Sequence, residues 1–269
     1  MKNNKRYACV LAALVLAAVS AVAQEGRIIT NSKLLGIGAT NILDTYLSPE
    51  KYNGTELRYI SHTFREHEGK RLYREIIHQG NVAYADNRSG NGNELAGMYN
   101  FQYGWHYRLL SLEDDRLTLG VGGNIDANLG FIYNTRNSNN PAQARLYLNI
   151  TPVIEAAYRF RIKNSPHTLR YELSVPLLGV MFSPNYGQSY YEIFSQGNYD
   201  HNVVPTWIGN APSLRQLLTF DFTLWNTTFR IGYLGDFQQA KVNGLRSHVY
   251  THSLVVGVTK RFQLIKMRP

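Results

Sequence analysis

The chain has 269 residues, of which 44% are hydrophobic and 17% charged, and its formal charge at pH 7 is +9. This length suits one large β domain or two small domains, and the positive charge forms no basic run, so we expect no nucleic-acid partner. The single cysteine, Cys9, excludes a disulfide framework and a cysteine-ligated metal site.

The first 23 residues have the features of a secretory signal peptide. Cations precede an apolar run, Tyr7–Val19, which is followed by the small-x-small sequence Ala21-Val22-Ala23. This order predicts export and cleavage after Ala23, and leaves residues 24–269 as one domain. The run is shorter than the ~20 residues of a transmembrane helix, and the sequence elsewhere predicts no such helix.

Beyond the predicted signal peptide, ten segments carry hydrophobic residues at every second position. Because successive side chains of a strand point to opposite faces, each segment has one apolar and one polar face. The predicted strands are, in chain order, Leu34–Leu43, Thr55–Phe64, Leu72–Tyr84, Leu95–Leu109, Leu117–Tyr133, Leu146–Ile162, Leu169–Leu177, Leu214–Leu224, Phe229–Phe237 and Tyr250–Phe262.

The first three segments alternate loosely, and the next three alternate clearly. Leu95–Leu109 places aromatic residues on its odd positions, Leu117–Tyr133 sets Leu and Ile against Gly and Asn, and Leu146–Ile162 sets Leu and Ile against Arg and Glu. Strands of soluble proteins usually have about 5–6 residues, whereas a strand that crosses hydrocarbon needs ~9–11. The lengths of these segments therefore favour membrane-spanning strands.

The predicted connections alternate in length. The short ones are Glu66–Arg71, Ser111–Arg116, Lys163–Pro166 and Trp225–Thr228. The long ones are Thr45–Gly54, Asp86–Asn93, Asn134–Ala144, Ser183–Pro212 and Gln238–Arg246. Short periplasmic turns and longer extracellular loops are typical of outer-membrane barrels. Tyr and Trp near several strand ends favour aromatic girdles at the lipid headgroups.

These observations predict an all-β fold: a closed antiparallel transmembrane β-barrel of about ten strands in the bacterial outer membrane. Hydrocarbon satisfies no backbone N–H or C=O group, so a sheet spans it only when closed. The apolar faces would contact lipid and the polar faces would line the lumen. A soluble sandwich or lipocalin-like barrel, with its apolar face inward, is the alternative.

The predicted inward faces carry charges of both signs. The predicted lumen charge network is Arg108, Asp126, Glu155, Arg159, Arg161, Arg170, Glu172, Arg215, Asp221, Arg230, Asp236 and Arg261. Buried charges must pair or stay hydrated, so we expect a salt-bridged plug. Because arginines outnumber carboxylates in this set, a narrow anion-preferring channel stays open as an alternative.

The long loop Ser183–Pro212 is the predicted binding region. Its aromatic and ionisable residues are Tyr186, Tyr190, Tyr191, Phe194, Tyr199, Asp200, His201 and Trp207. These aromatics either bind an external ligand or fold the loop over the barrel mouth. Together with Glu192, the Asp200-His201 pair is the basis of a second hypothesis, an outer-membrane hydrolase acting at the rim.

Other motifs predict no catalytic residue, metal site or cofactor. Gly36-Ile37-Gly38 and Gly120-Val121-Gly122-Gly123 do not complete a phosphate-binding loop, and we interpret them as small residues that make room inside the barrel. His248 and His252 would lie ~13 Å apart on a strand, too far to share a metal ion.

The segments Gly36–Asn41, Asp44–Pro49 and Tyr52–Arg58, with the closing Val258–Phe262, resemble an uncharacterised domain family of Bacteroidales. The resemblance implies an exported outer-membrane barrel with no assigned activity, whose partners are outer-membrane lipid and the barrel-assembly machinery. Assembly signals of outer-membrane barrels usually end on a C-terminal aromatic residue. In this sequence residues 263–269 follow Phe262, so recognition by that machinery would need an internal signal. The sequence thus favours a structural or ligand-binding barrel over an enzyme, and leaves its external ligand open.

Overall fold

A computed structural model describes residues 26–112, 116–163 and 165–264 as twelve β-strands and one short helix. The predicted signal peptide lies outside the described residues. The strands are β1 Arg27–Asp44, β2 Ser48–His67, β3 Leu72–Asn87, β4 Asn93–Leu112, β5 Leu117–Asn134, β6 Ala142–Ile162, β7 Ser165–Ser174, β8 Leu178–Phe182, β9 Val203–Trp207, β10 Leu214–Leu224, β11 Thr227–Val242 and β12 Leu245–Leu264. The helix, α1, is Tyr190–Phe194.

The strands form a closed antiparallel ring with ten positions. The order is β5-β4-β3-β2-β1-β12-β11-β10-β7-β6, and the pairing of β5 with β6 closes it. Both β7 and β8 pair with β6, so they form one interrupted strand. In the same way, β9 pairs with β8 and β10 pairs with β7. The predicted ten-strand barrel is confirmed.

The outer surface of the ring is apolar. Eleven outward aliphatic side chains in the middle of the strands are between 50 and 65% exposed: Leu35, Ile37, Leu57, Val82, Ile125, Leu129, Leu148, Ile150, Ile154, Leu254 and Val256. The alternate positions point inward and are largely polar and buried. Since a soluble barrel would have the opposite arrangement, this surface is the lipid-facing belt of a transmembrane barrel.

Exposed aromatic side chains flank this belt. Tyr107, Tyr158 and Trp225 lie toward the end of the barrel at which β1 begins and β2, β4, β6 and β12 end. We call this end the terminal end and the opposite one the loop end. Tyr84 and Tyr133 lie toward the loop end. Rings at both levels suit the two lipid headgroup regions.

Buried apolar side chains form three groups, of which one, Met181, Ala240 and Val242, packs against Tyr147, Val204 and Ala211, and the other two lie in the lumen. One, at the loop end, is Ile42, Leu47, Tyr52, Ala83, Ala85, Ala96, Ile132 and Val249. The other, in the middle, is Leu34, Ile60, Ile77, Leu217, Leu234 and Val255. The polar lumen residues lie around and between these groups, so the interior is packed by both kinds of side chain.

Two of the five predicted long loops are wrong. Within Thr45–Gly54, β2 already begins at Ser48, and Leu47 N–H donates to the carbonyl of Asp44 at 3.0 Å to close a three-residue turn. Within Gln238–Arg246, β11 continues to Val242, and Asn243-Gly244 forms a two-residue hairpin turn with both residues at positive φ. Asn-Gly is the sequence typical of that turn. The other three loop-end connections are longer.

No helix in the described parts of the chain is long and apolar enough to cross a membrane.

A charge placed in the middle of the belt tests its contact with lipid. Ile150 and Ile162 both face outward on β6, at 61 and 52% exposure, but Ile162 is the last residue of the strand. We expect Ile150→Arg to lower the free energy of unfolding by ~2–4 kcal/mol and Ile162→Arg by ~0–1 kcal/mol. Urea titration of the two variants in lipid vesicles measures the difference, and equal small losses would contradict a lipid-facing belt.

Candidate functional site

The inward faces of the strands place many polar side chains in the lumen, each no more than 9% exposed. We call this set the lumen network: Glu56, Arg58, His62, Glu75, Gln79, Asn100, Gln102, His106, Asn124, Asp126, Glu155, Glu172, Arg215, Arg230 and Asp236. An unpaired buried charge costs several kcal/mol, so the partners of these groups decide what the lumen can do.

Arg58 on β2 holds two carboxylates. Its Nε lies 2.7 Å from Glu56 Oε1, and its Nη1 lies 2.8 Å from Asp236 Oδ2 on β11. Thr251 and Asn81 donate to the other oxygen of Glu56 at 3.0 and 2.9 Å. This cluster joins two strands that are three positions apart in the ring.

A layer of side-chain amides holds Arg215. Its Nη2 donates to Gln102 Oε1 at 2.7 Å. Asn100 donates to Asp126 and accepts a hydrogen bond of 2.8 Å from Gln79 Nε2. Because the hydrogen-bond partners of Arg215 are neutral amides, nothing in this layer cancels its charge by direct contact.

A His–Glu cluster lies in the lumen between β2, β3, β4 and β7. His62 Nε2 lies 2.6 Å from Glu75 Oε1, and His106 Nε2 lies 3.1 Å from Glu75 Oε2. Asn124 donates to the same oxygen of Glu75 at 2.7 Å. Glu172 Oε2, from the far wall, is 3.7 Å from His62 Nε2 and has no hydrogen-bond partner among the described residues.

Further ion pairs lie toward the terminal end. Arg230 donates to both oxygens of Asp221, at 2.6 and 2.7 Å, and Arg170 pairs with Glu155. Tyr73 on β3 donates to Glu155 on β6 at 3.4 Å across the lumen. The two ion pairs contain four of the twelve predicted lumen charges.

Glycines make room for the large side chains of the lumen network. A Cβ on Gly38 would lie against the backbone and hydroxyl of Ser253, and a Cβ on Gly122 would meet the ring of His106. A Cβ on Gly120 would likewise meet the hydroxyl of Tyr73. The glycine-rich sequences of β1 and β5 therefore serve close approach inside the barrel.

The other predicted lumen charges are distributed unevenly. Arg108 pairs with Glu66 at 2.8 Å, both about a quarter exposed, and Arg159 is half-buried near the terminal end. Arg161 and Arg261 are exposed there. Predicting them as part of the lumen network is incorrect, because β6 and β12 extend beyond the enclosed section and carry these two arginines to the rim.

Sequence reasoning missed five charged or ionisable members of the lumen network: Glu56, Arg58, His62, Glu75 and His106. Four of them lie on β2 and β3, whose alternation was loose. The alternation of residue types on β2 could have identified Glu56 and Arg58, because the apolar residues Leu57 and Tyr59 occupy the positions between and after them and point outward.

Residues 183–213, the cap segment, contain α1 and β9 rather than one open loop. Ser189 caps α1 by accepting a hydrogen bond from the N–H of Glu192, whose carboxylate accepts from the N–H of Ser189 in return. Tyr190 packs against Tyr46 and Phe182 and donates to Gln143 at 2.8 Å, and burial raises its pKa. Tyr190 thus anchors the cap segment to the barrel.

The remaining predicted binding residues of the cap segment are exposed. Tyr186, Tyr191, Phe194, Tyr199 and Trp207 are 57–78% exposed. Asp200 and His201 form an exposed ion pair. Hydrogen bonds from Ser189 hold the pKa of Glu192 below its usual range, and no described hydrogen bond or ion pair joins Glu192 to that pair. The acid–base cluster required by the hydrolase hypothesis is therefore not assembled among the described residues.

A cleft of about 60 Å³ perforates the wall beside the cap segment. Its inner lining includes Gln102, Asp126, Arg145, Arg215 and Asp236, and its outer lining includes Leu177, Leu178 and Trp207. On the β6 side the wall is continuous, because Val175 and Leu177 donate to the carbonyls of Pro152 and Ile150 at 3.1 and 3.0 Å. The cleft opens on the other side, where Pro176 has no N–H to donate and residues 208–213 leave the sheet between β9 and β10.

The charges of the cleft do not balance. Arg58 neutralises Asp236, which leaves Arg145 and Arg215 against the single carboxylate of Asp126. Arg145 donates to Gln238 and to Tyr147, each at 3.0 Å. Among the described residues, no carboxylate lies within 4.0 Å of either guanidinium. The cleft therefore combines an apolar mouth with a cationic interior.

Removal of Arg58 tests the energetics of the lumen network. Arg58→Met leaves Glu56 and Asp236 buried without their cation, so we expect a loss of ~3–5 kcal/mol in the free energy of unfolding. Arg108→Met breaks a partly exposed pair and should cost ~0–1 kcal/mol. Urea titration in vesicles compares the two, and a loss for Arg58→Met as small as the control would show that water, not Arg58, solvates these carboxylates.

Several solved structures are similar to this chain. The translocator domain of the autotransporter NalP from Neisseria meningitidis matches at 11% identity and a TM-score of 0.40, over 96% of this chain and 97% of that one. The outer membrane protease OmpT from Escherichia coli matches at 7% identity and a TM-score of 0.40, over 88% and 96%. An outer membrane channel from Pseudomonas putida matches at 9% identity and a TM-score of 0.37, over 90% and 97%.

These three proteins differ in activity, and no activity is transferred from them to this chain. No curated protein matches the sequence. One family model covers residues 7–269, nearly the whole sequence, and its description is "Protein of unknown function (DUF3316)". The chain is a closed transmembrane β-barrel that belongs to the DUF3316 family.

Proposed function

We propose that this protein is a non-conducting binding barrel, which takes up an amphipathic anion through the cleft in its wall. The observation that carries the proposal is the pairing of an apolar cleft mouth with the uncancelled charges of Arg145 and Arg215. An anionic headgroup would form charge-assisted hydrogen bonds with these guanidiniums. Its hydrocarbon chain would lie against Leu177, Leu178 and Trp207, which face the membrane side.

Contacts across the lumen support the absence of conduction. Arg58 on β2 reaches Asp236 on β11, Arg215 on β10 reaches Gln102 on β4, and Tyr73 on β3 reaches Glu155 on β6. Each contact joins walls three or four strands apart in a ring of ten. Side chains fill the interior of barrels of about eight strands, whereas 16–18 strands leave a channel. Solute passage would require these contacts to break together.

We place the loop end outside the cell, since outer-membrane barrels have their longer loops there. The exposed aromatics of the cap segment then lie at the extracellular side of the cleft. Outer-membrane lipid is the immediate surrounding of the cleft mouth, and the barrel-assembly machinery is the partner expected for insertion. Amphipathic anions in the outer leaflet would reach Arg215 from the membrane without crossing the lumen.

Planar-bilayer recording tests conduction. Because side-chain contacts cross the lumen at several levels, we expect the purified protein to give no current steps above the leak of the bilayer. A porin inserted in the same bilayer provides the positive control for insertion and detection. Reproducible steps from the wild-type barrel would support the narrow channel instead.

Binding at the cleft can be followed through Trp207, one of three tryptophans, after Trp105 and Trp225 are replaced by Phe. Dibromostearate, a fatty acid that quenches tryptophan, should quench Trp207 saturably in detergent. Arg215→Gln should raise the half-saturating concentration about tenfold, equal to ~1.4 kcal/mol, because it removes one cation from the cleft.

The matched control is Arg108→Gln, which removes a cation outside the cleft and should leave the titration unchanged. Quenching that does not saturate, or that is equal in wild type and Arg215→Gln, would refute an anion site at the cleft.

A further inference from the structure

We propose that the His–Glu cluster of the lumen binds one first-row divalent transition-metal ion, with His62, Glu75 and Glu172 as ligands and His106 as the fourth. One nitrogen or oxygen atom from each of His62, Glu75 and Glu172 lies within 4.8 Å of the others. The three side chains come from β2, β3 and β7 and are fully buried. This site is separate from the cleft and does not depend on the proposed ligand.

The unpartnered oxygen of Glu172 points to a missing cation. Its side chain is 3% exposed, and Oε2 faces His62 Nε2 at 3.7 Å without a hydrogen bond. The neighbouring lumen carboxylates Glu56, Glu155 and Asp236 are all held by arginine. A buried carboxylate oxygen without a donor is costly, and a metal ion would satisfy it.

The spacing of the donor atoms suits a tetrahedral site. Zinc takes nitrogen and oxygen ligands at about 2.0–2.2 Å, which sets tetrahedral ligand atoms ~3.3 Å apart. The distances are 3.7 Å from His62 Nε2 to Glu172 Oε2 and 3.1 Å from His106 Nε2 to Glu75 Oε2. The contact of 2.6 Å between His62 and Glu75 would lengthen as the ion replaces the shared proton.

The net charge of the four ligands and the hydrogen bond to Glu75 from outside the cluster also suit a divalent ion. Two carboxylates and two neutral imidazoles around a divalent ion give zero net charge, which a buried site requires. Asn124 donates to Glu75 Oε2 at 2.7 Å and would orient this ligand from outside the coordination shell. Mixed imidazole and carboxylate ligands suit zinc, iron, cobalt or nickel better than calcium.

The position gives the ion a mechanical role. In the ring of ten, β2 and β7 are five places apart in both directions, so His62 and Glu172 come from diametrically opposite walls. A metal bound to both would tie these walls together at the level of the lumen network. We therefore expect metal loading to raise the unfolding temperature of the full barrel.

The test uses the full-length protein in detergent, stripped with a chelator and loaded with Co²⁺ or Zn²⁺. We expect one ion per chain by elemental analysis, a visible Co²⁺ absorption band typical of low coordination number, and a higher unfolding temperature. Glu172→Gln, which keeps the shape of the side chain, should weaken Co²⁺ binding at least tenfold. The control is Glu94→Gln, because Glu94 is a buried carboxylate at the loop end that accepts a hydrogen bond from Asn134 and lies outside the His–Glu cluster. This variant should bind Co²⁺ like the wild type.

Two results would overturn the proposal. One is a wild-type barrel, folded by its heat-modifiable migration, that binds no stoichiometric Co²⁺; this result stands even if a variant fails to fold. The other is equal Co²⁺ binding by the wild type and Glu172→Gln. Either would assign the cluster to a proton-sharing network of His62, His106 and the two glutamates.

Discussion

The constraint on which the whole structure depends is that hydrocarbon accepts no hydrogen bond and donates none. It forces the sheet to close, so that every backbone group in the belt is paired. It also forces charged side chains inward, where bulk water is scarce and they must satisfy one another. Arg58, between Glu56 and Asp236, is the clearest result. The closed sheet and the ion pairs inside it thus both follow from the absence of hydrogen-bonding groups in hydrocarbon.

Internal pairing requires space, and the sequence provides it with glycine. Gly38 and Gly122 face the lumen where the backbone of Ser253 and the ring of His106 come close. A ten-strand ring is narrow enough for side chains to meet across it, which is why Tyr73 reaches Glu155 on the far wall. Wider barrels could not be held together by single side chains in this way.

The fold could be predicted because its dominant signal is local. Alternation along one strand identifies both faces without knowledge of the partner strands, and Ile150 and Leu148 were both assigned correctly to the outer side. Contacts across the lumen depend on the stagger of strands far apart in sequence, such as β2 and β11, which no local pattern encodes. Hence Asp236 was predicted to face inward, but its partner Arg58 was not found.

The two wrong loops have different origins. At Asn243-Gly244 the turn signal is local and was overlooked, whereas the early start of β2 at Ser48 depends on pairing with β1 beyond the apolar stretch. Strand ends outside the membrane need no alternation of hydrophobic and polar residues, because both faces meet water. Arg161 and Arg261 lie in such ends and are exposed, which is why period two alone placed them wrongly inside the lumen.

The break in strand pairing at Pro176 lies beside the free charge of Arg215. Directly beyond it in the ring, Arg215 pairs in register with Ser174, so its guanidinium lies where the wall opens and where its partners are amides. Elsewhere the described lumen cations Arg58, Arg170 and Arg230 each have a carboxylate. A barrel in which every arginine was paired with a carboxylate would have no free cation with which to bind an anion. The uncancelled charge and the opening coincide, and this coincidence is the observation that supports the proposed binding cleft over a packing defect.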